Sequence, residues 1–444
     1  MTDNPRPRVV VIGAGFAGLA AVKRLMRTDV DVVLFDRHNY NTFQPLLYQV
    51  ATAGLDAGDV AHHVRGILRN DPRAELLVET VTRLDADAKR VHLQSGESMS
   101  YDALIIATGA RTNYFGVRGA QEHALPLYTL PDAIRLRNHI LSCFEAAEAD
   151  PSLVDEGALT FVVVGGGATG VETAGAMSEL FSKVMRHDYR RIDVRRARVV
   201  VVEMADELLG TFRARSREHA RLQLLDRGVE LRLGQRVTAV ERERVVLASG
   251  ETIATHTVVW AAGVQASDLA DWIGLEQTKG GRIAVEPDLS VPGHPEVFVA
   301  GDLAGATGEH GALLPQVAQV AIQEGHHVAH MVVQRLDGAR TRPFRYRDPG
   351  NMATIGRRAA VADLPFGITL TGGIAWLAWL FLHLLYIVGF RRRTEVLLQW
   401  AWNYTRWQWG PLLILGPSPD VDLSALAPGA EQSPEQRSTQ QHAL

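Results

Sequence analysis

Two short stretches, "VVVIGAGFAG" and "VVVGGGATG", constrain this chain more than anything else in it. Each is a β-branched run that breaks into glycines spaced G-x-G-x-x-G and continues as a helical sequence. In the first, Gly13 makes the tight turn and Gly15 lets a pyrophosphate approach a backbone made of Ala14, Phe16 and Ala17. Gly18 lets the helix pack on the strand. The helix start offers free N–H groups and the positive end of its dipole to the phosphates. A second strand, "VDVVLFD", ends in Asp36, followed by Arg37, where an acid meets the ribose hydroxyls. The other stretch repeats the arrangement with Gly165, Gly166, Gly167, Thr169 and Gly170. Its acid is Glu203, at the end of "ARVVVVE". The longer gap before Glu203, "SKVMRHDYRRIDVRR", is expected to hold extra helix and loop. Glu203 accepts hydrogen bonds from a ribose 2′-OH and repels a 2′-phosphate, which favours NADH over NADPH, although Arg213 and Arg215 lie nearby.

The repetition goes further than the turns. "AKRVHLQSGESMSYDALIIATG" and "RERVVLASGETIATHTVVWAAG" share one plan, a strand pair and a turn leading into a last strand. The first ends at Ala107, Thr108 and Gly109, the second at Ala262 and Gly263. "HPEVFVAGD" then brings another buried strand and the pair Gly301–Asp302; alone, that Asp could equally cap a turn. Two such units imply two dinucleotides, one a donor and one a resident carrier.

Composition narrows the chemistry. A net charge of −4 gives no reason to expect nucleic acid, and only four of the 46 basic residues are lysines. The single cysteine, Cys143, excludes an intrachain disulfide and dithiol chemistry. No Cys or carboxylate cluster with metal-ligand spacing surrounds His62–His63 or His326–His327, so no metal is expected. "MTDNPRPR" runs into a strand with no signal-peptide pattern.

The paired glycine units with "ATG", "WAAG" and "VFVAGD" resemble the two-dinucleotide-binding-domain flavoproteins. Further stretches, "NTFQPLLYQVATAGLD", "GGGATGVETAG", "AQVAIQ" and "GNMATIGRRAAVADL", resemble the type II NADH dehydrogenases, which are single-chain, non-proton-pumping NADH:quinone oxidoreductases. The resemblance covers about residues 8 to 412. It implies FAD on the first unit, with Asp302 at the flavin ribityl chain and Gln44 and Pro45 against the flavin. It implies NADH on the second unit, with Glu172 near nicotinamide and flavin. The stretch Ala318–Gln323 then lines a quinone site. Gln319 and Gln323, four apart on a helix, offer uncharged N–H groups to a quinone carbonyl. Ala318, Ala321, Ile322 and Gly325 leave a small face for close approach to the isoalloxazine ring.

The expected fold is α/β: two Rossmann-like dinucleotide-binding domains plus a C-terminal amphipathic, membrane-binding helical region. Residues 1–115 and 290–350 form a discontinuous FAD domain, 116–289 an NADH domain with linker, 351–417 the membrane-anchoring region and 418–444 a disordered tail rich in Pro, Ser, Gln and Glu. The run Phe366–Phe390 carries no formal charge, yet Gly372, Gly373 and His383 interrupt it and Arg391, Arg392 and Arg393 follow. Trp400, Trp402, Trp407 and Trp409 with Arg406 suit a headgroup interface. Two helices lying in one leaflet are therefore favoured over a spanning helix, with peripheral attachment to the cytoplasmic face of the cell membrane; a homodimer surface can coexist with it. Rival readings are a dithiol reductase and a sulfide:quinone oxidoreductase, both short of cysteines, a ferredoxin or rubredoxin reductase, and a membrane-bound NADH sensor. Ubiquinone and menaquinone are not distinguished.

Overall fold

The computed structural model describes residues 6–309, 311–386, 394–398, 400–401 and 412–414. The expectations for Arg391–Arg393, Trp402, Arg406, Trp407, Trp409 and the tail 418–444 lie outside the described residues.

The valine-rich runs become strands because both their faces are covered, which suits an uninterrupted apolar sequence. Arg8–Ile12 sits between Asp31–Asp36 and Ala103–Ile106, parallel to both. His294–Val299 joins the far side of Ala103–Ile106 in parallel, although nearly two hundred residues separate them in the chain. Ala74–Val78 extends the sheet on the other side, and Ser290–Val291 adds an antiparallel edge, giving six strands. Thr160–Val164 repeats the plan between Arg198–Val202 and Thr257–Trp260 in a five-stranded parallel sheet. The two matching turn-and-strand segments read from the sequence are matching three-stranded antiparallel meanders, Val81–Asp85 with Arg90–Leu93 and Ser98–Ser100, and Val237–Glu241 with Arg244–Leu247 and Thr252–Ala254.

One segment matches expectation in detail and another differs. The insert before Glu203 is extra helical turns and loop, as expected. The helix Ala168–Glu179 runs on through one π turn, Leu180–Val184, into two short 3-10 turns and loop. The apolar run from Phe366, by contrast, is not helical from its start. Thr369–Thr371 pairs with Ala359–Asp363, which pairs with Asn351–Gly356, so the run first completes a small antiparallel sheet. The helix begins only at Gly372, whose φ of +70° suits the turn out of that sheet, and continues to Tyr386. No helix among the described residues is long and apolar enough to cross a membrane.

Candidate active site

Each of the three glycines in a turn does a different job, and the two turns match. Gly13 and Gly165 have φ of +102° and +111°, a region that L side chains avoid. A Cβ on Gly18 would collide with the carbonyl of Gly13, and one on Gly170 with the carbonyl of Gly165. The middle glycines, Gly15 and Gly167, differ: both are exposed, and a Cβ there would meet no protein atom within 4 Å. They face a cleft. Their helices, Phe16–Leu25 and Ala168–Glu179, start without a side-chain cap, so the first N–H groups are free for an anionic ligand.

The acids also match. Asp36 accepts the Ala14 N–H at 2.7 Å and the His38 N–H at 2.7 Å. Glu203 accepts the Gly166 N–H at 2.5 Å and the Ala205 N–H at 2.8 Å. Each carboxylate thus ties the end of its strand to the glycine turn and keeps its remaining lone pairs on the cleft. Arg213 does not oppose Glu203. Its guanidinium donates to the Leu364 and Ile368 carbonyls at 3.1 and 2.9 Å, and neither it nor Arg215 lines the cleft.

Both turns open into one continuous cleft of about 1260 Å³. Most expected site residues line it: Ala14, Phe16, Ala17, Arg37, Gln44, Pro45, Ala107, Thr108, Gly109, Gly301, Asp302, Ala318 and Gln319 around the first half, and Gly166, Thr169 and Glu172 around the second. Gly18, Gly165 and Gly170 stand behind it as packing residues. Ala262 and Gly263 do not line it; Gly263 lies against the Phe115 ring, and its carbonyl accepts the Asn113 N–H at 3.0 Å.

Gln323 does not line the cleft either. Its amide is used up by the backbone of Arg347, donating to the carbonyl at 2.9 Å and accepting the N–H at 3.0 Å. The two glutamines of the helix Ala318–Leu336 are therefore unlike. Gln319 faces the cleft, and Gln323 clasps the segment that closes one wall. The small helix face is also divided. Ala318, Ala321 and Ile322 line the cleft, whereas Gly325 lies so close to the Ala17 carbonyl that a Cβ would collide with it.

Asp302 accepts a hydrogen bond from the Tyr128 hydroxyl at 3.2 Å, and burial raises its pKa. Beside it, Glu324 is 1% exposed and accepts the Gly301 N–H at 2.6 Å; burial pushes its pKa up to about 8. Burial likewise raises Glu172 to about 8, only partly offset by the Thr354 N–H it accepts at 3.2 Å. The Trp379 indole lies close enough to Glu172 to lower its pKa, but its N–H reaches no acceptor among the described residues in hydrogen-bond geometry. The sequence reading gave no site role to Glu324, Trp379 or His383. His383 lines the cleft, stacked on Trp379 with ring centroids 3.9 Å apart. An ionisable residue inside an uncharged apolar run was the available signal.

Residues 7–325 match the family described as pyridine nucleotide-disulphide oxidoreductase, and residues 349–405 match the NDH2 C-terminal domain. A type II NADH:quinone oxidoreductase of Mycobacterium tuberculosis is 40% identical, with 92% of this chain and 90% of that protein covered. The chain belongs to the type II NADH:quinone oxidoreductase family. A member from Staphylococcus haemolyticus is 30% identical, with 83% of this chain and 92% of that protein covered. Among solved structures, NDH2 from Plasmodium falciparum in complex with NADH has a TM-score of 0.83 at 19% identity, covering 92% of this chain and all of that one. The sulfide:quinone oxidoreductase of Aquifex aeolicus has a TM-score of 0.67 at 18% identity, covering 90% and 95%. At these identities the likeness is one of fold. The family's disulphide chemistry has no counterpart here, since the lone Cys143 is buried at 3.5 Å from His139.

Proposed function

We propose that this chain oxidises NADH and reduces a quinone through FAD, all within the one cleft. The observation that carries this reading is the pair of open middle glycines facing a shared cavity, one turn for each dinucleotide. The cradles fit both nucleotides: exposed glycine backbone, an uncapped helix start and an acid in each half. When bound, FAD supplies the two-electron relay between the hydride donor and the quinone.

The chain's residues have separate tasks. The first glycine turn, Asp36 and Asp302 hold FAD. The second turn and Glu203 hold NADH, and the carboxylate disfavours a 2′-phosphate. Glu172, largely protonated near neutral pH, lets the nicotinamide approach without a buried negative charge beside it and can hold a proton there. Gln319 offers an uncharged N–H to a quinone carbonyl, which an apolar tunnel tolerates better than a charge. The expected domain division, 1–115 with 290–350 for FAD and 116–289 for NADH, remains our proposal, supported by the return of His294–Val299 to the first sheet.

We place the quinone mouth against a lipid surface. On the helix Gly372–Tyr386, Ala375 and Trp379 are buried, while Ile374, Leu377, Phe381 and Leu385 are exposed on the other side. Phe366 is fully exposed at the turn before it, and Ile368 is half exposed. Such an apolar face marks a membrane or protein contact. A lipid-borne acceptor favours the membrane, with peripheral attachment at its cytoplasmic face. Replacing Ile374 and Leu377 with Glu is expected to release the protein from vesicles while leaving reduction of a water-soluble quinone intact. Release of a protein dimer into monomers with vesicle binding unchanged would assign the face to a second copy.

The functional reading is tested by anaerobic addition of NADH to the purified holoenzyme, followed by a quinone. The flavin absorbance is expected to bleach and then to return. Bleaching without return would favour an NADH sensor, and no bleaching would remove the reading.

A further inference from the structure

Two polar side chains of opposite character line the cleft. Gln319 lines it with an amide that makes no hydrogen bond to any described residue. His383 lines it from the C-terminal helix, with one ring nitrogen committed: Nδ1 lies 2.8 Å from the Trp379 carbonyl. A carbonyl only accepts, so Nδ1 carries the proton. In a neutral imidazole the other nitrogen, Nε2, is then a bare acceptor. It has no partner among the described residues and is not sealed in the interior. Burial pushes the pKa of His383 down to about 4, so the ring is neutral near pH 7. Its orientation is fixed as well, with Trp379 stacked on one side at 3.9 Å and the Phe43 ring meeting it edge-on at 6.1 Å.

Quinone and quinol differ in one respect that this pair can read. A quinone oxygen accepts hydrogen bonds and donates none; a quinol hydroxyl donates. We infer that His383 Nε2 receives the hydroxyl of the quinol product, as the counterpart of Gln319, which donates to the quinone carbonyl. The assignment rests on the NADH:quinone reading above. It makes His383 a product-recognition residue: it favours the quinol over the quinone at the site and sets how strongly product inhibits the enzyme.

The test uses the full-length holoenzyme, a short-chain benzoquinone and its hydroquinone. His383→Leu removes the acceptor, and His383→Gln restores one through Oε1. In His383→Leu the hydroquinone inhibition constant is expected to rise about three- to tenfold, the range for one lost neutral hydrogen bond. The same rise is expected in its equilibrium dissociation constant, read from quenching of tryptophan fluorescence. The quinone KM should change less than about twofold, and flavin content and the rate of bleaching by NADH should match the parent. His383→Gln should recover most of the hydroquinone affinity. Parallel weakening of quinone and hydroquinone, no weakening of either, or failure of Gln to restore affinity would overturn the assignment. If NADH bleaches the parent and quinone does not restore its colour, the functional reading itself fails, whatever His383 does.

Discussion

The helix Phe16–Leu25 packs on another helix, Ala318–Leu336, whereas its twin Ala168–Glu179 packs on a strand, Asn351–Gly356, from the C-terminal sheet. The contacts are made alike. Gly325 comes against the Ala17 carbonyl in the first half, and Gly175 against the Ile355 carbonyl in the second, each with no room for a Cβ. Each close approach also shuts a glutamate away from water, Glu324 in one half and Glu172 in the other. The difference lies in what the cover belongs to. The first glycine helix is covered by the segment that follows its own sheet. The second is covered by the region carrying Trp379, His383 and the exposed apolar helix. Glu172 is thereby in structural contact with the part of the chain assigned to lipid, and Glu324 is not. One motif, used twice, is thus covered by two different parts of the chain, and the proposed roles of the two halves follow that difference.

Small changes at the twin turns probe the comparison most severely. Gly18→Ala and Gly170→Ala each drive a methyl into the preceding turn and should cost about 3 kcal/mol or more in unfolding experiments. Similar losses for both would uphold the equivalence of the halves, and tolerance at either would break it.

The buried carboxyls sharpen the contrast through pH. The folded pKa of Glu172 is raised from 4.5 to about 8. Between those values the unfolded chain has released its proton and the folded chain keeps it, so stability falls as pH rises. The slope approaches about 1.4 kcal/mol per unit for this one group, and the loss is complete above about pH 8. Thermal unfolding of Glu172→Gln from pH 5 to 8 should therefore be flatter than that of the parent. An unchanged slope would mean that Glu172 is ionised when folded.

The glutamines give smaller effects, and opposite ones. Gln319→Ala should slow flavin reoxidation by quinone about tenfold, the cost of one hydrogen bond made in the reacting complex, with bleaching by NADH unchanged. Gln323→Ala should leave reoxidation within about twofold and lower stability by about 1 kcal/mol through loss of the Arg347 clasp. The stopped-flow rates and the unfolding midpoints of the two variants separate these roles. Equal effects on reoxidation would restore the symmetric pair that spacing alone suggests.

That symmetric pair shows where sequence reading stops. The glycine turns, their strands and their acids were legible because every contact lies within a turn or between neighbouring parallel strands, and spacing encodes such contacts directly. Gln319 and Gln323 have equal helical spacing, but the partner of Gln323 is the backbone of residue 347, and no local pattern identifies it. Glu324 looks like an ordinary helix-surface glutamate until the return of Gly301 buries it. Glu172 lies five residues into its helix, beyond the first turn, and it is closed off by a segment around Thr354, 182 positions away. His383 was visible as a break in an apolar run. Which way it faced depended on the Thr369–Thr371 strand, which shortens the run and sets where the helix starts.

The division of labour between the two turns is tested most directly by filling each open middle glycine in turn. Gly15 and Gly167 have φ of −73° and −71°, open to L residues, and a Cβ at either would meet no described protein atom within 4 Å, so valine is expected to fold in both places. The visible spectrum is recorded for each variant before and after NADH is added. Gly15→Val should be colourless and folded, and Gly167→Val should be yellow and resist bleaching by NADH. A yellow, NADH-responsive Gly15→Val protein, or a colourless Gly167→Val protein, would contradict the assignment of one dinucleotide to each turn.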